Sequence, residues 1–180
     1  MYNLTLQLNA RLRPMDRGEF YEDPLLEILE EQNLGTISGG GTALNANREV
    51  ACCDIEISLN RKEDWDKLVD ILLDMGIPKG SFLRDEETDL PLGTLDGLAL
   101  YLNGTQLPDE VYETCDINYA VEQLEQSLGS TGRFYSYWEG PQDTALYFYG
   151  PSFSEMNARM EPFLSSYPLC QKCRVEQIAG

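Results

Sequence analysis

Residues 53–76 read CDIEISLNRKEDWDKLVDILLDMG, and this stretch predicts a strand followed directly by a helix. Within CDIEISL, Ile55 and Ile57 alternate with acidic and small polar residues, which is the period of a half-buried strand. Asn60, with Glu63 three positions later, is an Asx form of the capping box, so a helix is expected to begin there. An apolar stripe then runs to Gly76, a residue type that favours a helix C-terminus.

The remainder of the chain shows the same two periodicities in a repeated order. The predicted elements are strand, helix, strand, strand, helix, strand, and this order occurs twice. The predicted strands cover residues 3–12, 36–50 (a strand running into a loose hairpin), 53–59, 81–84, 97–104, 133–140, 144–150 and 173–179, and the predicted helices cover 24–35, 60–76, 116–129 and 152–168.

A βαββαβ order is that of the split βαβ unit, in which helices cover one face of an antiparallel sheet. The sequence therefore predicts an α+β fold of two tandem ferredoxin-like halves, with antiparallel sheets and helices on one face. The first half is expected to span residues 1–90 and the second 91–180, packed as one pseudo-symmetric unit. Similar helix ends that run into hairpins, LEEQNLGTISGGGT and LEQSLGSTGRFYSYWEG, occupy matching places and suggest a duplication.

The charge of the chain is strongly negative and unevenly distributed. The formal net charge is −18 and the pI is about 4.1. Eleven acidic residues and no Lys or Arg lie between Arg84 and Arg133. Binding to bare nucleic acid or to an anionic membrane is therefore not expected, because neutralising phosphate requires basic side chains. A macromolecular partner should instead be a basic protein, such as a toxin or a nucleic-acid-binding protein.

The carboxylates expected to contact that partner lie after the predicted strand 81–84, after Pro108, and at the start of the third predicted helix. They are Asp85, Glu86, Glu87, Asp89, Asp109, Glu110, Glu113 and Asp116. A solvated surface explains such residues equally well, since carboxylates aid solubility. The third helix, however, contains no basic residue for i,i+4 pairing.

Residue types that support catalysis are scarce. Histidine is absent, which removes the commonest general base and the usual nucleophile pairs and metal ligands. We therefore expect no enzymatic activity, no catalytic residues, no metal and no cofactor. A carboxylate enzyme with a divalent metal on Asp54 and Glu56, which share a strand face, remains a more distant hypothesis, because alternation equally makes them an exposed polar edge.

The cysteines and the glycine run favour structural roles. Five cysteines without a secretion signal indicate reduced thiols and a cytoplasmic location. Cys170 and Cys173 have CxxC spacing but follow a predicted helix, the reverse of the redox context. Cys52 and Cys53 are adjacent on a strand and should point to opposite faces, which disfavours a four-thiolate zinc site. The glycines in SGGGT (38–42) lack the following Lys of a phosphate loop and indicate a turn or bulge.

Aromatic residues fill the predicted hairpin of residues 133–150. By alternation, one face should present Tyr135, Tyr137, Tyr147 and Tyr149, and the other Phe134, Trp138, Leu146 and Phe148. RNA-binding sheets surround such aromatic rows with basic residues, whereas this hairpin supplies Glu139 and Asp143. The tyrosine row is therefore a candidate protein contact or a surface packed between the halves.

The combined features favour a non-enzymatic binding protein. Bacterial immunity proteins, which neutralise nuclease toxins, are similar to this chain in size, acidity and lack of catalytic residues. That similarity implies an inhibitor that blocks the basic site of a partner, with association accelerated by electrostatic steering. The alternative is a regulatory tandem of ferredoxin-like modules that binds a small molecule, with the ligand in a cleft between the halves.

Overall fold

The computed structural model describes residues 1–180. The chain divides into two compact units, one formed by Met1–Leu95 and the other by Asp96–Ile178. Each unit contains one antiparallel sheet with its own helices. None of the helices is both long enough and apolar enough to span a lipid bilayer.

The first unit contains a five-stranded sheet with the strand order β2-β3-β1-β4-β5. Its strands are β1 (Tyr2–Leu8), β2 (Gly35–Leu44), β3 (Val50–Leu59), β4 (Ser81–Arg84) and β5 (Asp89–Leu92). Its helices are α1 (Pro14–Arg17), a π-helical turn (Gly18–Glu22), α2 (Asp23–Glu31), a 3₁₀ turn (Lys62–Asp64) and α3 (Trp65–Met75).

The core of the first unit follows from the register of its two central strands. Leu4 lies opposite Ile57, and Leu6 lies opposite Ile55, so the apolar residues of β1 and β3 share one sheet face. All four are buried, as are Leu25 and Leu29 on α2 and Leu68 and Leu72 on α3. Burying a side chain of this size contributes about 1.5–3 kcal/mol, so this face is the main source of stability for the unit.

The second unit contains a four-stranded sheet with the order β7-β8-β6-β9. Its strands are β6 (Asp96–Asn103), β7 (Arg133–Glu139), β8 (Asp143–Gly150) and β9 (Arg174–Ala179). Its helices are α4 (Asp109–Thr114), α5 (Ile117–Leu128), a 3₁₀ turn (Gly129–Thr131), α6 (Phe153–Ser166) and a second 3₁₀ turn (Pro168–Cys170).

The helices α5 and α6 pack on the same face of the second sheet. Leu98, Leu100 and Leu102 of β6 face this core, together with Leu146 and Phe148 of β8. The helices contribute Leu124 and Leu128 from α5, and Met156, Met160 and Leu164 from α6, to the same buried cluster. The apolar stripe of each helix therefore meets alternate residues of the strands.

The predicted α+β class with two antiparallel sheets is confirmed, and both sheets resemble ferredoxin-like folds in strand order. The predicted helix starts at residues 116 and 152 and the predicted helix end at Gly76 also hold. The Asp116 side chain accepts a hydrogen bond from Asn118 N (2.8 Å) at the start of α5, and Ser152 Oγ accepts one from Glu155 N (3.3 Å) at the start of α6. Gly76 ends α3 with a positive φ of 78°.

Three local predictions are wrong. Asn60 does not cap α3, because its amide donates to Asn33 O (3.0 Å) and the helix begins after a 3₁₀ turn. The first helical segment begins at Pro14 rather than Pro24, and β1 ends at Leu8 rather than at residue 12. In addition, one strand was not predicted: Asp89–Leu92 forms β5 and pairs with β4.

Candidate functional site

The polar face of the first sheet brings together side chains that are far apart in sequence. The register that buries the leucines of β1 also places Asn3 opposite Ser58 and Gln7 opposite Asp54 on the other face. Ser58 Oγ donates to Asn3 Oδ1 (2.8 Å), and Gln7 Nε2 donates to Asp54 Oδ1 (3.3 Å). These cross-strand hydrogen bonds fix the polar side chains on a rigid surface.

A concavity of about 600 Å³ lies over this face, and we call it the acidic trough. Its floor is formed by residues of β1 and β3, and one end is formed by the turn between β4 and β5. The residues that line it are Asn3, Leu4, Thr5, Gln7, Ser38, Asp54, Glu56, Ser58, Arg84, Asp85 and Glu86. Four of these are carboxylates and one is a guanidinium.

The turn at the end of the trough is held by Asp85. Its Oδ1 accepts hydrogen bonds from Glu87 N (2.8 Å) and Thr88 N (2.6 Å), and its other oxygen accepts one from the Tyr2 hydroxyl. The hydrogen bond from Tyr2 is the largest of the effects that lower the pKa of Asp85 below its ordinary value. The same hydrogen bond raises the pKa of Tyr2 to about 12, so Asp85 stays ionised and Tyr2 stays protonated.

The charges of the trough favour a cationic ligand. Arg84 Nε lies 3.0 Å from Asp89 Oδ1, so the one basic side chain of the lining is paired with a carboxylate outside it. The carboxylates of Asp54 and Glu56 share the floor and are partly or fully exposed. Nowhere in the chain are three His, Cys, Asp or Glu residues grouped so that they could hold a metal ion.

The eight predicted partner-binding carboxylates fall into two groups, one in each unit. Asp85 and Glu86 line the trough, Glu87 lies on the same β4–β5 turn, and Asp89 is the first residue of β5. The second group is in the other unit: Asp109, Glu110 and Glu113 are exposed on α4, and Asp116 caps α5. Only the first group therefore borders this concavity.

Sequence reasoning missed the polar residues of β1 as part of a site. Asn3, Thr5 and Gln7 appear in the sequence only as the polar partners of alternating leucines. These residues alternate with apolar residues in β1, as Asp54 and Glu56 do in β3, and this shared alternation was the feature that could have indicated a common polar face. Both strands are interior strands of the sheet, so these residues form a face rather than an exposed edge.

The predicted tyrosine row is interrupted by a bulge. Phe134 pairs with Phe148 and Ser136 with Tyr147, so Tyr135 is an extra residue in β7. Tyr137 consequently pairs with Leu146 and packs against the helix-covered core instead of lying with the other tyrosines. Tyr147 and Tyr149 are 1% and 2% exposed, so these two side chains are not presented to an external partner.

The cysteines are all free thiols. Cys53 is buried and donates to Leu12 O (3.3 Å), whereas Cys52 is partly exposed, as expected for opposite strand faces. Cys170 follows α6, and burial is the main cause that raises its pKa to about 12. A thiol with that pKa is almost entirely protonated at neutral pH and is a poor nucleophile.

The SGGGT segment lies within the edge strand β2, with a register shift between Ile37 and Gly39. Gly40 is required there by close packing, because a Cβ atom would lie 2.8 Å from the backbone oxygen of Asp54, 2.9 Å from Glu22 Oε1 and 3.1 Å from Arg17 Nη2. The segment is therefore a bulged strand that accommodates an ion pair, and no helix follows it directly.

No protein-family model matches the chain, and no curated protein matches it. Solved structures give only distant likenesses. An unknown protein from Galdieria sulphuraria is 11% identical with a TM-score of 0.31, covering 99% of this chain and 97% of that one. The regulatory subunit of aspartate kinase from Thermus thermophilus is 11% identical with a TM-score of 0.29, covering 92% and 93%.

The first two RRM domains of the yeast poly(U)-binding protein are 9% identical with a TM-score of 0.27, covering 98% of this chain and 99% of that one. Likenesses at this level assign neither a family nor an activity to the chain.

Proposed function

We propose that this chain is a non-enzymatic acidic binding protein that occupies the basic site of a partner protein, as an inhibitor or immunity-type protein does. We further propose that the acidic trough is the surface that it uses. The observation that carries the proposal is the composition of the trough, in which four carboxylates and five uncharged polar side chains accompany one arginine. Nuclease toxins, whose substrate sites are basic, are partners of suitable charge.

The geometry supports binding rather than mere solubility for part of the acidic surface. Carboxylates that only solvate a protein can lie on any exposed position, whereas Asp54 and Glu56 project from an interior strand. Asp85 is fixed by three hydrogen bonds at the end of the trough. Charges held in place lose less side-chain entropy on binding, and they steer a cationic partner during association.

The same proposal extends to the architecture. Each unit is proposed to be a complete ferredoxin-like domain, with the two derived from one duplication and divided near residue 90. This is supported by the strand order of both sheets, in which the second, third, first and fourth strands of each unit are neighbours. The proposed location is the cytoplasm, where the five unbridged cysteines would remain reduced.

The test compares two sets of substitutions that remove the same number of charges. The trough set is Asp54→Asn, Glu56→Gln and Glu86→Gln, and the control set is Asp109→Asn, Glu110→Gln and Glu113→Gln on α4. The probes are an oligo-arginine peptide and a panel of basic nuclease domains, with association rates and Kd measured at about 0.1 M and about 1 M salt.

We expect the trough set to weaken binding about tenfold at the lower salt concentration, because each exposed ion pair contributes about 0.2–1 kcal/mol. The control set should weaken binding about twofold, through net charge alone. Binding of the unsubstituted protein should be largely lost at the higher salt concentration. Equal effects of the two sets would refute the trough as the binding surface, because the carboxylates would then act through net charge or through α4 as well. Salt-insensitive binding would remove the electrostatic basis of the proposal.

A further inference from the structure

The second unit contains a cleft between the N-terminal half of α5 and the helix-covered face of its sheet. The cleft has two adjoining lobes of about 350 Å³ and 380 Å³, which share Ile117 and Thr144 as lining residues. Each lobe is as large as a pocket for a small organic molecule. The cleft is separate from the acidic trough, which is lined only by residues of the first unit.

The walls of the cleft are mostly apolar and partly aromatic. The larger lobe is formed by Val121 on α5 and by Phe134, Tyr137 and Leu146 on the sheet. The smaller lobe adds Leu102, Tyr112, Cys115 and Leu169. Apolar walls with a few convergent polar groups are the usual composition of a ligand pocket.

Hydrogen bonds to two tyrosine hydroxyls hold the smaller lobe in shape. The Tyr112 hydroxyl accepts from Leu107 N (3.0 Å) and donates to Asn103 O (3.1 Å). The Tyr167 hydroxyl accepts from Asp116 N (2.9 Å) and donates to Asp116 O (3.1 Å) at the α4–α5 junction. A pocket held this way needs little reorganisation when a ligand enters, which lowers the entropic cost of binding.

The charges of the lining select the class of ligand. The two lobes together contain two ionisable carboxylates, Asp116 and Glu139, and no Lys or Arg. The Asp116 carboxylate accepts a hydrogen bond from Asn118 N at the start of α5, so it already interacts with the positive end of the helix dipole. Glu139 is the carboxylate available to a ligand, in the larger lobe that Tyr137 also lines.

We infer that this cleft binds a small apolar molecule bearing one positively charged amine, with the apolar body against Val121 and Phe134 and the ammonium group near Glu139. The Tyr137 ring is suited to the same charge, because aromatic faces attract cations. Anionic ligands of equal size are excluded by the absence of any basic residue in the lining. The inference goes beyond the proposed function and is independent of it, because the two sites share no residue.

The experiment uses three probes of matched shape on the full chain: phenylpropylammonium, phenylpropanol and phenylpropanoate. Binding is followed by amide chemical shifts in two-dimensional NMR. We expect phenylpropylammonium to shift the resonances of lining residues such as Val121 and Phe134, phenylpropanol to do so more weakly, and phenylpropanoate to produce no saturable shift.

Two substitutions in the cleft and one outside it complete the design. Glu139→Gln should weaken phenylpropylammonium binding about two- to fivefold and leave phenylpropanol binding unchanged, as expected for one partly exposed ion pair. Val121→Trp should abolish binding of both by filling the larger lobe. Glu122→Gln, on the exposed side of α5, is the matched charge control and should have no effect.

The inference is overturned if phenylpropylammonium does not shift the lining resonances, or if phenylpropanoate binds as tightly. It is also overturned if Glu139→Gln and Glu122→Gln change the affinity equally. Should Val121→Trp fail to fold, the Glu139→Gln comparison decides the result alone, because Glu139 is exposed at the end of β7 and its removal leaves the core intact.

Discussion

Replacement of Arg17 by Met should destabilise the first unit strongly. Arg17 is 8% exposed and joins the helical segment after α1 to the edge strand β2. Its Nε lies 2.7 Å from Glu22 Oε1, and its Nη1 donates to Gly41 O (2.6 Å) and to Thr42 Oγ1 (2.9 Å). Met has a similar length and no charge, so the substitution removes the hydrogen bonds with little change in packing volume.

The magnitude follows from the partners left behind. Breaking a fully buried ion pair by removing one partner costs about 3–5 kcal/mol, because the remaining charge is not compensated. The Glu22 side chain is 24% exposed, so water can solvate part of its carboxylate. The cost should therefore fall below that range, to about 2–3 kcal/mol of unfolding free energy, including the unpaired Gly41 carbonyl.

Urea denaturation of the full chain, followed by far-ultraviolet circular dichroism, measures this change. Arg159→Met is the matched control, because Arg159 pairs with Glu155 on the exposed side of α6 (side chains 48% and 51% exposed). An exposed i,i+4 pair contributes about 0.3–0.5 kcal/mol, so the control should change the unfolding free energy by no more than that. Equal, small effects of both substitutions would refute the assignment of Arg17 as the link between the helical segment and β2.

Two further predictions concern ionisation. The pKa of Asp64 is lowered below 3.8, mainly by the hydrogen bond from Arg61 and next by the hydrogen bond from Lys67. The stabilisation of the fold by this carboxylate is therefore present above about pH 5 and is lost as the pH falls through the lowered pKa. The difference in unfolding free energy between wild type and Asp64→Asn should accordingly be constant at neutral pH and narrow below pH 3.8; a difference that widens on acidification would contradict the ion pairs. The pKa of Cys170 is raised to about 12, so its alkylation by iodoacetamide at about pH 8 should be roughly a thousandfold slower than that of an ordinary thiol. Peptide mass mapping measures the labelling of each cysteine. Equal labelling of all five cysteines would show that Cys170 is not buried as described.

The elements that the sequence predicts correctly are those specified by neighbouring residues. α5 is capped by Asp116 and ends before Gly129, in agreement with the predicted range 116–129. The hairpin of β7 and β8 and the helix that begins after Ser152 are likewise encoded within a few positions. Capping side chains and apolar periodicity act locally, so a linear sequence contains the whole signal.

Elements that depend on distant partners were not predictable in this way. The helical segment of Pro14–Glu22 contains Gly18 and several charged residues, and it lacks a strong apolar stripe. It is stabilised by Arg17, whose partners Gly41 and Thr42 lie on a strand much later in the chain. Gly40, in the SGGGT segment predicted as a turn or bulge, leaves room for the Arg17–Glu22 ion pair, a constraint visible only in three dimensions.

The acidic trough shows the same limit for the candidate site. Alternation in β1 and β3 predicts that each strand has one polar face, but it does not give the register between them. The β1–β3 register places Gln7 beside Asp54, and the pairing of β4 with β1 brings the β4–β5 turn to one end of the trough. A shift of one residue would bring these polar side chains to the core, so burial of the leucines fixes the site indirectly.

The bulge in β7 also limits prediction from alternation, because one extra residue, Tyr135, changes the sheet face on which Tyr137 is expected to lie. Strict alternation groups Tyr137 with Tyr135, Tyr147 and Tyr149, whereas the extra residue at Tyr135 places Tyr137 opposite Leu146 on the helix side. Tyr137 therefore lines the larger lobe of the cleft together with Phe134 and Glu139, so this wall is both aromatic and acidic. Deleting Tyr135 would remove the bulge and leave Tyr137 opposite Leu146, so the orientation of Tyr137 toward the cleft is set by its pairing with β8 and not by its spacing from Tyr135.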